Sequence, residues 1–80
     1  MEDQDVLDRI NELAAEEHAL FERAAEGGLD PAEHQRLEWL NVALDQAWDL
    51  LHQRRARRRA GMDPDDATER PPDTVEGYVD

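Results

Sequence analysis

One short segment, Gly27-Gly28-Leu29-Asp30-Pro31, limits the fold of this chain more than any other feature, because it ends one helix and begins the next. Glycine readily takes the left-handed conformation that closes many helices. Asp30 before Pro31, with Glu33 following, is the pattern of an N-cap, a first helical residue and a capping box. Two helices joined by so short a connection must run antiparallel.

Apolar residues lie at helical spacing on both sides of this turn. In the first segment the steps are typical of a coiled coil, at Val6, Ile10, Leu13, Leu20 and Ala24. In the second segment the principal stripe comprises Leu37, Leu40, Leu44, Ala47, Trp48 and Leu51. We therefore predict an all-α fold, an antiparallel, coiled-coil-like two-helix hairpin over residues 1–61, with helices at about 4–26 and 31–60.

Residues 62–80 differ in composition and form an acidic tail that contains proline. Asp63-Pro64 offers one further helical turn, whereas Arg70-Pro71-Pro72 excludes helix and favours a polyproline conformation. The tail has too few apolar residues for a core of its own. It is predicted to be either disordered or an extended strap docked on the hairpin.

A second apolar stripe, formed by Trp39, Ala43 and Leu50, lies beside the principal stripe of the second helix. Together the two stripes cover about half of the helix circumference, more than one antiparallel neighbour covers. The chain has no cysteine, so disulfides do not stabilise it. The sequence predicts that two hairpins pair as a homodimeric four-helix bundle, or that the tail covers the stripe, with Tyr78 as a further candidate contact.

Glu17 lies on the apolar face of the first helix, between Leu13 and Leu20. A carboxylate there is costly unless it is hydrogen-bonded or paired. In an antiparallel hairpin Glu17 lies level with Asn41, which predicts a buried polar pair that fixes helix register or oligomeric state. The alternative is that Glu17 is a metal ligand.

Five of the nine arginines lie between Arg54 and Arg59, in a chain of formal net charge -12 that has no lysine. The structural interpretation is that they meet the helix dipole, the acidic segment 1–8 and the acidic tail. The functional interpretation is that Arg55, Arg57, Arg58 and Arg59 bind the phosphates of RNA or an acidic protein surface. No aromatic residue lies within the run for base stacking, which weakens the case for nucleic acid.

The sequence offers little for catalysis or for a cofactor. It contains no cysteine and no serine, and Gly27-Gly28 follows a helix rather than the strand of a phosphate-binding loop. The clusters Glu16-Glu17-His18 and Glu33-His34 lack the Glu-x-x-His spacing of di-iron bundles. We therefore predict no enzyme, no catalytic residue, no cofactor and no metal site.

Several stretches resemble one known family. They are 16–18 (EEH), 44–51 (LDQAWDLL), 53–56 (QRRA), Gly61, Asp63-Pro64, Ala67, Arg70-Pro71 and Val75-Glu76-Gly77-Tyr78. Over essentially the whole chain they resemble a small actinobacterial family of uncharacterised proteins, the domain of unknown function 2630. The resemblance implies an actinobacterial, cytosolic protein and a full-length natural chain, and it implies no activity.

Two further features concern location and partners. Apolar runs such as Ala19-Leu20-Phe21 are too short to span a bilayer, and the acidic start is unlike a secretory signal, so a cytoplasmic protein is expected. The sequence thus predicts a non-enzymatic, self-associating protein-protein interaction module whose protein partner is unknown. The alternatives are an arginine-mediated binder of RNA or of the ribosome and, more remotely, a metal-binding helical bundle.

Overall fold

The computed structural model describes residues 1–75, which form an antiparallel pair of long helices and a C-terminal segment folded back on them. Helix α1 spans Asp3–Gly27 and helix α2 spans Pro31–Arg59. A 3-10 turn follows at Pro64–Asp66, and a short helix α3 spans Pro72–Val75. The prediction that Arg70-Pro71-Pro72 excludes helix is therefore wrong at Pro72, because proline is tolerated at the first position of a helix. The predicted all-α hairpin is confirmed, and over the described residues no strand occurs.

Both long helices begin at capping boxes. At the start of α1, the backbone N–H of Glu2 donates to the carboxylate of Asp5 at 2.8 Å. At the start of α2, the Asp30 carboxylate accepts from the Glu33 N–H at 2.8 Å, and the Glu33 carboxylate accepts from the Asp30 N–H at 3.1 Å. These bonds satisfy N–H groups that have no partner within the helix, so the capping box predicted after the Gly-Gly turn is confirmed.

The hydrophobic core lies between the helices and beneath the C-terminal segment. Leu40 and Leu51 are fully buried at its centre. The buried apolar residues are Val6, Ile10, Leu13, Leu20, Leu40, Ala43, Leu44, Ala47, Leu50 and Leu51. Two residues of the predicted stripes are exceptions: Ala24 is exposed, and 42% of the surface of Trp48 remains exposed. Trp48 lies at the edge of the core-facing arc of α2.

Residues 62–75, called the strap below, return along α2 in the opposite direction. Gly61 makes the reversal with φ 74, and the Met62 N–H donates to the Arg57 carbonyl at 2.8 Å. Farther along, the side chain of Gln53 donates to the Thr68 carbonyl. Ala67 packs against the core. Of the two predicted outcomes for the tail, a docked strap is therefore correct for the described residues.

The contacts of the strap divide the hairpin into two broad faces. Arg9 of α1 and Leu50 of α2 line one small cavity together with Glu69, so these edges of the helices lie beneath the strap. Glu16 pairs with Arg36 along the same edges. At about 100° per residue, the remaining edges of the two helices share the opposite face. That face, called the open face, carries Leu7, Ala14 and Phe21 of α1 and Leu37 and Trp48 of α2.

We expect Gly28→Ala to destabilise the protein by about 1–3 kcal/mol, because Gly28 has φ 84 and ψ 173, a conformation that residues with a Cβ strongly avoid. Gly27→Ala is the matched control. It adds a helix-favouring residue at the last position of α1, where a Cβ meets open space. Urea unfolding should separate the pair, and equal stabilities for both variants would contradict this account of the turn.

Candidate functional site

Arg54 is the centre of a buried polar cluster that joins three parts of the chain. Its side chain is only 3% exposed. The guanidinium donates to the Asp3 carboxylate at 2.9 Å, to the Asp65 carboxylate at 2.8 Å, to the Pro64 carbonyl at 3.2 Å and to the Met1 carbonyl at 2.7 Å. Arg54 therefore holds the N-terminus and the start of the strap against α2.

Asp49 is the second buried charge, with a relative exposure of 0%. Arg70 of the strap binds it through both ends of its guanidinium fork, with the Nε donating to Oδ2 at 2.8 Å. Gln53 donates to the same carboxylate at 2.8 Å. Gln46 donates to the Arg70 carbonyl at 3.1 Å, so α2 holds both the side chain and the backbone of this strap residue.

The buried polar residues of the structure are Arg54 and Asp49, not the predicted pair of Glu17 and Asn41. Asn41 is exposed and Glu17 is only half-buried, so the prediction of a buried Glu17–Asn41 layer is wrong. The polar groups that are buried lie on α2, at the contact with the strap and the N-terminus. Among the described residues, every buried side-chain nitrogen and oxygen has a hydrogen-bond partner.

The arginine run divides into two groups. Arg54 is buried, and Arg58 binds both oxygens of Asp3 at 2.8 and 2.9 Å, so these two complete the fold. Arg55 and Arg59 are exposed, and Arg57 is half-buried beside Met62. Within the part of the chain that the structure describes, no ion pair involves Arg55, Arg57 or Arg59. The structural interpretation therefore accounts for two of the five arginines.

The ion pairs shift the pKa values of their carboxyl groups. The hydrogen bonds from Arg58 and then Arg54 hold the pKa of Asp3 far below its usual range. The hydrogen bond from Arg70 lowers the pKa of Asp49, although burial opposes that shift. The hydrogen bond from Arg54 lowers the pKa of Asp65. The carboxylates that attach the strap therefore favour the charged form.

The predicted second stripe is mostly covered within the chain. Ala43 and Leu50 are buried, so neither is available to another molecule and their prediction as contact residues is wrong. Trp39 stays 47% exposed, with the Arg36 guanidinium 4.4 Å from the ring centre. Arg36 also binds Glu16 of α1, at 2.8 Å for one of its two bonds. Tyr78 lies outside the described residues.

The open face carries two of the exposed large apolar residues of the described chain, Phe21 and Trp48. Phe21 is 51% exposed and Trp48 is 42% exposed, while Leu7 and Leu37 are half-buried. The rings of Trp48 and His52 are tilted against each other, at 6.2 Å between ring centres. Leu7, Ala14 and Phe21 are seven residues apart, so they form one line along α1.

Metal and small-molecule sites receive no support from the described residues. No group of three or more histidine, cysteine, aspartate or glutamate side chains is arranged there to hold a metal ion. His18 pairs with Glu22 on the same helix at 2.9 Å. The cavity beneath the strap measures about 100 Å³, and Val6, Ala47 and Leu50 form its apolar part. No described helix is long and apolar enough to cross a membrane.

Comparison with known proteins gives one consistent result. The model of the family described as "Protein of unknown function (DUF2630)" matches residues 2–80. Uncharacterized proteins of Mycobacterium tuberculosis (strain H37Rv) and Mycobacterium bovis are each 48% identical to this chain over 78 residues, covering 96% of this chain and 90% of the relative. No solved structure matches the chain significantly.

Replacing Arg54 tests the buried cluster. We expect Arg54→Leu to lower the free energy of unfolding by about 2–4 kcal/mol, because Asp3, Asp65 and the Met1 carbonyl lose a charged donor. Arg57→Leu is the matched control, at a half-buried neighbour that has no ion pair within the described chain, and should change stability by less than about 0.5 kcal/mol. Similar losses in both variants, measured by urea unfolding, would show that Arg54 has no special role.

Acid should detach the strap. Because the pKa values of Asp49 and Asp65 are lowered in the folded protein, their stabilising effect is complete above the ordinary value of 3.8 and is lost as the pH falls below it. We expect the free energy of unfolding to fall progressively as the pH drops below about 4, until the pH passes the lowered pKa values of the folded protein. Asp65→Asn should reduce this dependence, whereas Asp66→Asn, which removes an exposed carboxylate, should retain it. Equal pH profiles for these neighbouring variants would contradict the assignment.

Proposed function

Since this chain belongs to the DUF2630 family, whose description gives no activity, we propose its function from its geometry: it is a non-enzymatic interaction module that pairs with a second copy of itself through the open face. The observation that carries the proposal is the apolar line of Leu7, Ala14 and Phe21 beside Trp48. The strap covers the other face of the hairpin, so the open face is the side on which a second hairpin can pack.

The dimensions of the hairpin support this proposal. The molecule measures 50 × 24 × 19 Å, so its long side allows one hairpin to lie along another over several helical turns. Two such helix pairs, packed face to face, make a four-helix bundle with a second apolar layer. A chain of 80 residues buries a small core alone, and pairing enlarges that core without further chain length.

The alternative of RNA binding has weaker support. Arg54 and Arg58 are already bound within the chain. Arg57 lies about 160° around the helix from Arg55 and Arg59, so the three remaining arginines do not form one patch. With a formal net charge of -12, the chain as a whole repels nucleic acid. We propose the cytoplasm as the location, because a protein without cysteine has no need of an oxidising compartment.

Self-association is tested by sedimentation with two tryptophan variants. We expect the wild-type protein to be a dimer at micromolar concentration and Trp48→Glu to be a folded monomer, because the substitution places a charge in the apolar layer. Trp39→Glu is the matched control, since Trp39 is similarly exposed but lies on the strap side, and it should remain dimeric. A wild-type monomer of 9.2 kDa with native helicity would refute the proposal.

A further inference from the structure

The open face is not uniform in charge from one end to the other. Arg55 and Arg59 lie at the end where α2 finishes, and both are exposed. Arg55 follows Trp48 by seven residues, so it continues the line of the open face, and Arg59 lies one turn farther. Arg57 points to a different side of the helix. The two arginines thus extend the apolar surface with positive charge and have no ion-pair partner within the described chain.

The opposite end of the hairpin, around the Gly-Gly turn, is acidic. Residues 14–43 contain seven carboxylates and two arginines. Both arginines are already paired, Arg23 with Glu33 and Arg36 with Glu16. Glu22 and Glu38 are exposed on the outer flanks of α1 and α2 in this half. Seven carboxylates against two arginines leave this half of the hairpin with a formal net charge of -5, and Glu38 is exposed next to Leu37.

We propose that the two copies pair antiparallel, with Arg55 and Arg59 of each copy against the acidic turn end of the other. The inference rests on the proposed self-association through the open face. In a parallel dimer the arginines of the two copies face one another and the two acidic ends do the same, which is repulsive at both ends. In the antiparallel dimer the exposed Arg55 and Arg59 of each copy lie against exposed carboxylates of the other copy, and the apolar residues between them overlap. The antiparallel pairing gives Arg55 and Arg59 acidic partners that the isolated, described chain does not provide.

The first test asks whether removing Arg55 and Arg59 raises or lowers the dissociation constant of the dimer. In the antiparallel dimer, Arg55→Gln with Arg59→Gln removes attraction and should raise the dissociation constant about tenfold at low salt, with less effect at high salt. In a parallel dimer the same change removes repulsion and should lower the constant. Arg57→Gln is the matched control and should leave the constant unchanged. Tighter association of the double variant would overturn the proposal.

The second test measures orientation directly. Because the chain has no cysteine, Ala15→Cys, Ala25→Cys and Ala56→Cys each give one spin-label position, near the middle, the turn end and the arginine end. With a rise of 1.5 Å per residue, the antiparallel dimer places the two Ala56 labels roughly 40 Å apart and the two Ala25 labels roughly 30 Å or more apart, with the Ala15 labels closest. Similar short distances at all three positions would refute the antiparallel arrangement while leaving the dimer intact. A monomer in sedimentation would refute the proposed function itself.

Discussion

The buried guanidinium of Arg54 is the interaction on which the rest of the structure depends. A guanidinium has five N–H donors and no acceptor, so burying it requires several oxygens to converge on one point. In this protein the oxygens belong to Met1 and Asp3 at the start of the chain and to Pro64 and Asp65 at the start of the strap. The hairpin supplies the apolar core, but the cluster around Arg54 brings the N-terminus and the start of the strap to the same place. The folded unit is therefore the hairpin together with its N-terminus and strap.

The absence of lysine is consistent with this architecture. A planar guanidinium binds both oxygens of a carboxylate at once, whereas an ammonium acts as a single charge on a flexible stem. Arg58 uses this geometry on Asp3, Arg36 uses it on Glu16, and Arg70 uses it on Asp49. Each of these pairs joins segments distant in the sequence. In so acidic a chain, directional pairs of this kind both offset repulsion and set which segments meet.

The parts of the fold that were predicted correctly depend on local sequence. The Gly-Gly turn and the Asp-Pro start determine the ends of the helices, because capping and backbone conformation act over a few residues. Most of the core followed from helical spacing. Trp48 was placed wrongly because it lies at the edge of the apolar stripe, and the pattern does not show how much of that edge the neighbouring helix covers.

The candidate site was less accessible to sequence reasoning. Asp49 was missed as a buried charge, because its partner Arg70 lies 21 residues away. For Arg54, the partners in the acidic segment 1–8 and in the tail were predicted, but its burial was not. In a chain with 21 acidic residues and nine arginines, many pairings are compatible with the sequence. The signal that was present was Arg70-Pro71-Pro72, which predicts an extended segment carrying a single positive charge. Only the path of the strap shows that this charge reaches Asp49.

The covalent attachment of the strap to α2 has a consequence for competition. Only residues 60–63 separate α2 from the 3-10 turn. The strap is therefore present at its contact surface on α2 at an effective concentration on the order of millimolar or higher. A separate peptide of equal intrinsic affinity, supplied at micromolar concentration, would almost never displace it. Peptides from other molecules are thereby excluded from the strap's contact surface on α2 because the strap is covalently attached, not because its sequence binds more tightly. The surface that remains available to other molecules is the open face.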